Sequence, residues 1–270
     1  MTFCDKKANL PVKMPGMTRS RPTYAERRAT FAVETRDRIL AAAMELIPSA
    51  ERDLSINEIA REAGVAVQSI YDHFGSKGGL LVAVIQEVQR QGGLSEGIDA
   101  VFRSRDGESA LRRMTAATMA LWDRGWPFLG FILRSRRSDP VVGRQYDALD
   151  TLRHAHLWAI CRRLELEGRI HGGNSAEWGA DQALALSAAT VYEDLVVRRG
   201  WSLSTAIDSI DRAVAAALLE PESEAVYSPA PDWAALEAEA AARAIAAGAD
   251  GALFPAAWRH RGATVTTEGG

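Results

Sequence analysis

The chain has 270 residues, 47% hydrophobic and 25% charged, which are ordinary values for a globular protein with a sizeable core. Its formal net charge of −3 is unevenly spread, because basic residues crowd the N-terminus and acidic residues the C-terminus. The 2 cysteines are too few for a disulfide framework, and no apolar run approaches the roughly 20 residues needed to cross a bilayer. We therefore expect a cytoplasmic protein that does not enter the membrane, and the abundance of Ala and Leu favours an all-α fold.

The first 30 residues carry prolines, a glycine and several basic side chains without an apolar period. This composition predicts a disordered basic arm over residues 1–30, which is either solvated or bound in a DNA minor groove. An apolar stripe then predicts a helix from about Glu34 to Ile47, ended by Pro48.

A helix-turn-helix pattern occupies residues 55–81. Ser55 is a good N-cap residue, and Glu58 three residues later completes a capping box. Gly64 supplies the left-handed conformation that ends this first short helix, and a second is predicted over about residues 67–74. The second helix directs polar and aromatic side chains outward, which is typical of a helix that enters a DNA major groove.

Residues 34–81 resemble the DNA-binding domain of TetR-family transcriptional regulators. The resemblance implies an N-terminal three-helix helix-turn-helix domain over residues 31–78. It also implies a C-terminal helical bundle domain over residues 79–219, which encloses a small-molecule pocket in this family. The residues that carry the resemblance are Thr35 to Ala43, Ile59 to Val65, Ile70 to Phe74, Ser76, Lys77, Leu80 and Leu81.

The chain departs from the family pattern at three places. Residues 50–53 replace the usual Gly-aromatic pair, so we expect the first connection to pack differently. Ala66 stands where the recognition helix usually has a Ser or Thr cap, which costs roughly 1 kcal/mol of capping. Gly78 and Gly79 weaken the first turn of the next helix, each by about 1 kcal/mol relative to Ala.

Side chains near the start of the recognition helix are expected to read base edges. Gln68 can bond adenine in a bidentate way, Val67 can touch a thymine methyl, and Ser69 suits a base or a phosphate. Tyr71 and His73 are better placed to hold phosphates, although either residue could instead cover the core of its own domain. The caps Ser55 and Ala66 and the basic residues Arg36 and Lys77 are predicted to contact DNA as well. The full set of predicted DNA contacts is Arg36, Ser55, Ala66, Val67, Gln68, Ser69, Tyr71, His73 and Lys77.

The periodic spacing of apolar residues, together with capping residues, predicts further helices. The pair over residues 175–199 and 204–219 mixes small and large apolar side chains, which favours a dimer interface between two copies of the chain. Residues 220–270 are expected to form a C-terminal extension with one helix, capped by Asp232, that lies outside the resemblance. The remaining predicted helices cover about residues 76–91, 109–124, 127–132, 140–167 and 233–247.

The second domain is rich in large aromatic side chains, which form either an ordinary core or the walls of the pocket that the resemblance implies. Aromatic walls with few polar groups suit a flat, largely apolar effector. The predicted ligand-binding residues are Trp122, Trp126, Phe131, His156, Trp158 and Tyr192.

No constellation in the sequence indicates catalysis or metal binding, so we expect no enzyme activity, no metal and no cofactor. His154 and His156 are two residues apart on a predicted helix and point to different faces. Cys161 has no second thiol near it in the sequence, and the glycines form no phosphate-binding loop.

These features lead to one main hypothesis and two alternatives. The main hypothesis is a homodimeric repressor that a small-molecule effector releases from a near-palindromic double-stranded DNA operator. The first alternative keeps DNA binding without an effector and assigns control to a protein partner that docks on the acidic C-terminus. The second alternative is an enzyme with an appended DNA-binding domain.

Overall fold

A computed structural model describes residues 23–49, 54–91, 94–220 and 232–249. Within these ranges the chain is helical, as predicted, and its regular elements are α-helices, two short 3-10 turns and one π-helical turn. The α-helices are α1 (Tyr24–Leu46), α2 (Ile56–Ala63), α3 (Val67–Phe74), α4 (Lys77–Gln91), α5 (Leu94–Val101), α6 (Gly107–Ser135), α7 (Pro140–Leu166), α8 (Ala176–Leu186), α9 (Ala189–Tyr192), α10 (Leu203–Leu218) and α11 (Trp233–Ala246).

α1 is longer than predicted, because it begins at Tyr24 and not near Glu34. Residues 24–30, which the sequence analysis assigned to the basic arm, therefore form its first turns, and the rest of the arm lies outside the described residues. The Ala and Arg residues at positions 25 and 27–29 are exposed and are good helix formers, which explains a helical start without burial. The backbone N–H of Arg27 donates to the carbonyl of Thr23 at 3.0 Å and closes the first turn.

α6 is one helix, where two were predicted on either side of Pro127. Proline inside a helix removes one backbone hydrogen bond and commonly kinks the helix. Here the turn after Pro127 carries Phe131 and Ile132, which are 1% and 7% exposed, so tertiary packing holds the helix together across the proline. The preceding helix α5 was not predicted, because a helix of 8 residues depends on its tertiary contacts more than on its own propensity.

The core of the first domain is not built from α1–α4 alone. Phe131 and Ile132 of α6 and Val142 of α7 pack in the same buried cluster as Ile39 of α1 and Ile70 of α3. The far end of α6 and the beginning of α7 therefore complete the core of the helix-turn-helix domain. We refer to this arrangement as the shared core.

α7 is the central helix of the second domain and packs against α4, α6, α8 and α11. Its residues 155–161 are all buried, as expected for a helix that is surrounded on every side. The predicted helix over residues 140–167 is thereby confirmed, with Asp139 as its cap and Pro140 in its first turn.

α11 confirms the predicted helix of the C-terminal extension and its Asp232 cap, whose carboxylate accepts the N–H of Ala234 at 2.9 Å. The indole N–H of Trp233 donates to the carbonyl of Ser104 at 2.8 Å, and the Arg163 guanidinium lies 4.5 Å from its ring centre. α11 therefore belongs to the core of the second domain, a position that the sequence did not indicate. The remaining residues of the extension lie outside the described part of the chain.

Gly78 and Gly79 have a steric role that the sequence analysis missed. A Cβ atom on Gly78 would lie 2.7 Å from both the Asp139 Oδ1 atom and the Val141 Cβ atom, and one on Gly79 would lie 2.1 Å from the Phe74 carbonyl oxygen. The start of α4 thus approaches the start of α7 too closely for any side chain. The glycine at residue 78 therefore permits the contact between α4 and α7, whereas Gly79 permits the close approach of α4 to the end of α3.

We expect Gly78→Ala to destabilise the protein although Ala is the better helix former by about 1 kcal/mol. The new methyl group must displace Val141 or the Asp139 carboxylate, which caps α7 by accepting the N–H groups of Val141 and Val142. Overpacking of this kind costs roughly 1–3 kcal/mol, which outweighs the gain in propensity. Urea unfolding measured by circular dichroism provides the free energy of unfolding.

The matched control is Gly97→Ala in α5, where a Cβ atom would meet nothing within 4 Å. That substitution should stabilise the protein by up to about 1 kcal/mol. If both variants gain stability alike, the close approach of α4 and α7 does not constrain residue 78.

Candidate functional site

The turn before the recognition helix is fixed by local hydrogen bonds. The Ser55 Oγ atom accepts the N–H of Glu58 at 3.2 Å, and the Glu58 carboxylate accepts the Ser55 N–H at 2.9 Å, which completes the predicted capping box. Gly64 has a left-handed backbone with φ of 62°, and the Val65 N–H closes the end of α2 by donating to the Ala60 carbonyl at 3.0 Å. The Ser55 hydroxyl is therefore engaged within the domain.

α3 starts at Val67 with Ala66 as a cap that makes no side-chain hydrogen bond, as predicted. Gln68 is exposed on the first turn, and its amide nitrogen donates to the Asp72 carboxylate at 2.9 Å. This bond uses one of the two amide N–H groups, and bidentate adenine recognition requires the amide oxygen and one N–H. Val67 and Ser69 beside it are half-buried, and Ile70 faces the shared core.

The predicted phosphate contacts gather around Phe74 at the end of α3. The Arg36 guanidinium of α1 lies 5.5 Å from the centre of the Phe74 ring, and the His73 ring lies 6.2 Å from it. Tyr71 is 44% exposed, which favours a role in DNA contact over packing on the first helix. Lys77 follows as the first residue of α4. The fold thus places the predicted contacts along α3 and at its end, while the contacts with DNA themselves stay predictions.

Three of the predicted ligand-binding residues lie together in the second domain. The rings of Trp126 on α6 and Tyr192 on α9 are 5.3 Å apart at an angle of 46°. Trp122, one turn before Trp126, donates its indole N–H to the carbonyl of Ser187 at 3.1 Å. The Tyr192 hydroxyl donates to the Oδ1 atom of Asp123 at 2.8 Å. We call Trp122, Asp123, Trp126 and Tyr192 the α6–α9 cluster.

The other three lie elsewhere. His156 is 5% exposed beside Phe102, with the ring centres 5.8 Å apart, and Trp158 is 5% exposed beneath the Arg243 guanidinium of α11. Phe131 belongs to the shared core, so its assignment to the pocket is corrected. The helical period predicts which face of a helix is apolar but not which neighbour covers that face. The predicted pocket therefore mixed residues from three separate places.

The helix predicted over residues 175–199 is interrupted after Leu186, and the sequence analysis missed the residues that hold the break. The Arg153 guanidinium donates to the Leu184 carbonyl at 3.1 Å and lies 5.2 Å from the Trp122 ring centre. The Ser187 hydroxyl donates back to the Ala183 carbonyl at 2.6 Å, a bond that often bends helices. A serine inside a predicted helix was the one available sequence signal. Beyond the break, α9 runs into the π-helical turn Glu193–Arg198.

Burial lowers the pKa of His156 from its ordinary value of 6.5 to about 3, because the charged imidazolium would lose its hydration. His156 is therefore neutral at physiological pH. A ligand in its neighbourhood would meet an uncharged imidazole and not a cation.

Protonation of His156 should destabilise the fold in acid. The pKa is lower in the folded chain than in the unfolded chain, so the free energy of unfolding falls as the pH drops from about 6.5 towards 3. We expect this residue to account for a loss of about 2 kcal/mol between pH 7 and pH 5. Urea unfolding at the two pH values, followed by Trp fluorescence, measures the loss in wild type and in His156→Gln.

The loss should be smaller in His156→Gln and unchanged in His171→Gln, which alters an exposed histidine. Equal losses in all three proteins would show that His156 does not control the acid sensitivity.

No group of three or more His, Cys, Asp or Glu side chains in the described ranges is placed to hold a metal ion. In the same ranges, no helix has the length and apolar character needed to cross a membrane. Cys161 is buried, and burial raises the pKa of its thiol, so the unreactive protonated form dominates at neutral pH.

Comparison with known proteins supports the helix-turn-helix assignment. The sequence profile described as bacterial regulatory proteins, tetR family, matches residues 39–84, from the middle of α1 into α4. No curated protein sequence is significantly similar to the chain.

Solved structures of similar fold include three that match this chain over nearly all of their own length. NalD, the secondary repressor of the MexAB-OprM multidrug efflux pump in Pseudomonas aeruginosa, shares 20% identity over 71% of this chain and 100% of its own, with a TM-score of 0.54. FadR from Bacillus subtilis in complex with stearoyl-CoA shares 17% identity over 67% of this chain and 98% of its own, with a TM-score of 0.57. SmeT in complex with triclosan shares 17% identity over 73% of this chain and 99% of its own, with a TM-score of 0.56. At these identities the likeness concerns the fold alone.

Proposed function

Because this chain belongs to the tetR family of bacterial regulatory proteins, we propose that it is a homodimeric repressor released from its operator by a small molecule. The family consists of transcription regulators and not of enzymes, so the enzyme alternative is set aside. Two copies of α3 would meet two half-sites of a near-palindromic operator in the cytoplasm. The effector would be small and largely apolar or aromatic.

The observation that carries this proposal is the shared core. α6 and α7 carry candidate effector residues in the second domain and contribute Phe131, Ile132 and Val142 to the core of the helix-turn-helix domain. An effector that changes the packing of these helices thereby changes the support of α3. Release also requires that the effector binds the DNA-bound form less tightly, by the same factor by which it weakens DNA binding.

The effector assignment has two kinds of support. The α6–α9 cluster presents indole and phenol rings with few polar groups, which suits a ligand with a large apolar surface. FadR with stearoyl-CoA and SmeT with triclosan show that proteins of this fold bind ligands with substantial apolar parts. The individual ligand contacts of this chain are part of the proposal.

The dimer assignment is supported by apolar side chains exposed near α8 and α10. Val197 and Trp201, which lie just before α10, are 47% and 37% exposed in a single chain. Burial of such residues against a second copy would remove apolar surface from water. Ile210, in contrast, is 4% exposed and belongs to the core of the protomer itself.

Control by a protein partner on an acidic C-terminus is not favoured. α11 packs into the second domain, and Glu237 is only 3% exposed, so part of the acidic extension is buried within the chain. A helix in this position is not available as a docking segment unless it leaves the core.

The recognition helix provides the direct test of DNA reading. Gln68→Ala should remove discrimination at one base pair of each half-site, worth about 1–3 kcal/mol, because the exposed amide no longer contacts a base edge. Lys77→Ala should weaken binding to all sequences alike and reduce the slope of log affinity against log salt by about 1 per site. Competition binding on single-base variants of a wild-type-selected fragment measures both effects.

Gln86→Ala alters an exposed glutamine of α4 and is the matched control. It should leave both the base preference and the salt slope unchanged. A Gln68→Ala protein with the wild-type preference at every position would contradict the assignment of Gln68 to a base.

A further inference from the structure

Asp123 is a half-buried carboxylate that no sequence pattern singles out. It lies on α6 between Trp122 and Trp126, and its Oδ1 atom accepts the Tyr192 hydroxyl at 2.8 Å. Burial raises the pKa of Tyr192, and the hydrogen bond to Asp123 raises it further.

Within the described residues, no basic side chain forms an ion pair with Asp123. None of the ion pairs formed within the described residues includes Asp123, whose described polar contact is the neutral Tyr192 hydroxyl. The Arg153 guanidinium lies over the Trp122 ring, 5.2 Å from its centre, and pairs with Asp150 at 3.6 Å. A partly buried carboxylate without a counter-ion costs free energy, which a bound cation would recover.

The aromatic side chains beside Asp123 suit the same kind of ligand. The Trp126 and Tyr192 rings pack on one another, with centres 5.3 Å apart at an angle of 46°, and Asp123 is hydrogen-bonded to Tyr192. Cations bind favourably to the faces of Trp and Tyr rings, particularly where a carboxylate is close. Tyr192 is 3% exposed, whereas Trp126 and Asp123 are half-buried, so a ligand would approach from the side of these two residues.

The backbone next to the α6–α9 cluster departs from regular α-helix. Tyr192 ends α9 and is followed by the π-helical turn Glu193–Arg198. Turns of this kind interrupt regular helical hydrogen bonding and often occur at functional sites. A ligand beside Tyr192 would thus lie next to the segment that connects α9 to α10.

We propose that the α6–α9 cluster binds a ligand that combines an aromatic ring with a positive charge, such as a quaternary or protonated amine. Asp123 supplies the counter-charge, and Trp126 and Tyr192 supply the ring faces. This inference rests on the proposed function and narrows its effector from a largely apolar or aromatic molecule to a cationic aromatic one.

The test compares two probes of equal shape, benzyltrimethylammonium and its neutral isostere neopentylbenzene. Binding to the full chain is measured by titration calorimetry and by quenching of Trp fluorescence. We expect benzyltrimethylammonium to bind at least about tenfold more tightly than neopentylbenzene. Asp123→Asn should reduce this preference about tenfold or more, because the amide oxygen still accepts the Tyr192 hydroxyl but carries no charge.

Asp194→Asn is the matched control, since it removes the same charge from an exposed residue two positions after Tyr192. It should leave the preference for the cation nearly unchanged. Equal binding of the two probes, or equal loss of both probes in Asp123→Asn, would overturn the cation site and assign Asp123 a structural role.

Measuring DNA affinity in parallel separates the failure of this inference from the failure of the proposed function. Operator release by neutral aromatic molecules, with no preference for the cation, would overturn the inference and leave the repressor proposal intact. Tight, Asp123-dependent binding of the cation without any change in DNA affinity would support the site and contradict its role as the effector switch.

Discussion

The packing of Phe131, Ile132 and Val142 into the helix-turn-helix domain is the contact on which the rest of the structure depends. These side chains come from α6 and α7, so the domain that presents α3 has no complete core of its own. Gly78 permits this arrangement, because any side chain there would collide with the capped start of α7. Interiors packed in this way do not deform continuously, so under the proposed function a change along α6 or α7 would shift the support of α3.

The helix-turn-helix domain could be predicted because short-range interactions define it. The Ser55–Glu58 capping box and the left-handed Gly64 fix both ends of α2 within a few residues. The start of α1, the existence of α5 and the continuity of α6 through Pro127 could not be predicted. They depend on weak local propensity or on contacts between residues distant in sequence, which an apolar period does not encode.

The candidate effector site was predictable in composition but not in arrangement. The aromatic residues were found, yet Phe131 lies in the shared core, and Trp158 lies under α11. Arg153 holds carbonyl groups of α8 from another helix, so the break there depends on a partner that no local pattern reveals. The role proposed for Asp123 depends on its hydrogen bond with Tyr192, which is far from it in sequence. A single acidic residue on a helix is ordinarily a solvated one.

Hydrogen exchange in wild type and Phe131→Ala tests the shared core most directly. Truncation of a buried phenylalanine costs about 3–5 kcal/mol, and the shared core assigns much of that cost to the first domain. We expect backbone amides of α1 and α4 to lose protection at least as strongly as those of α6, and DNA affinity to fall. Unchanged protection of α1–α4, with the loss confined to α6 and α7, would contradict the claim that α6 and α7 complete the core of the helix-turn-helix domain.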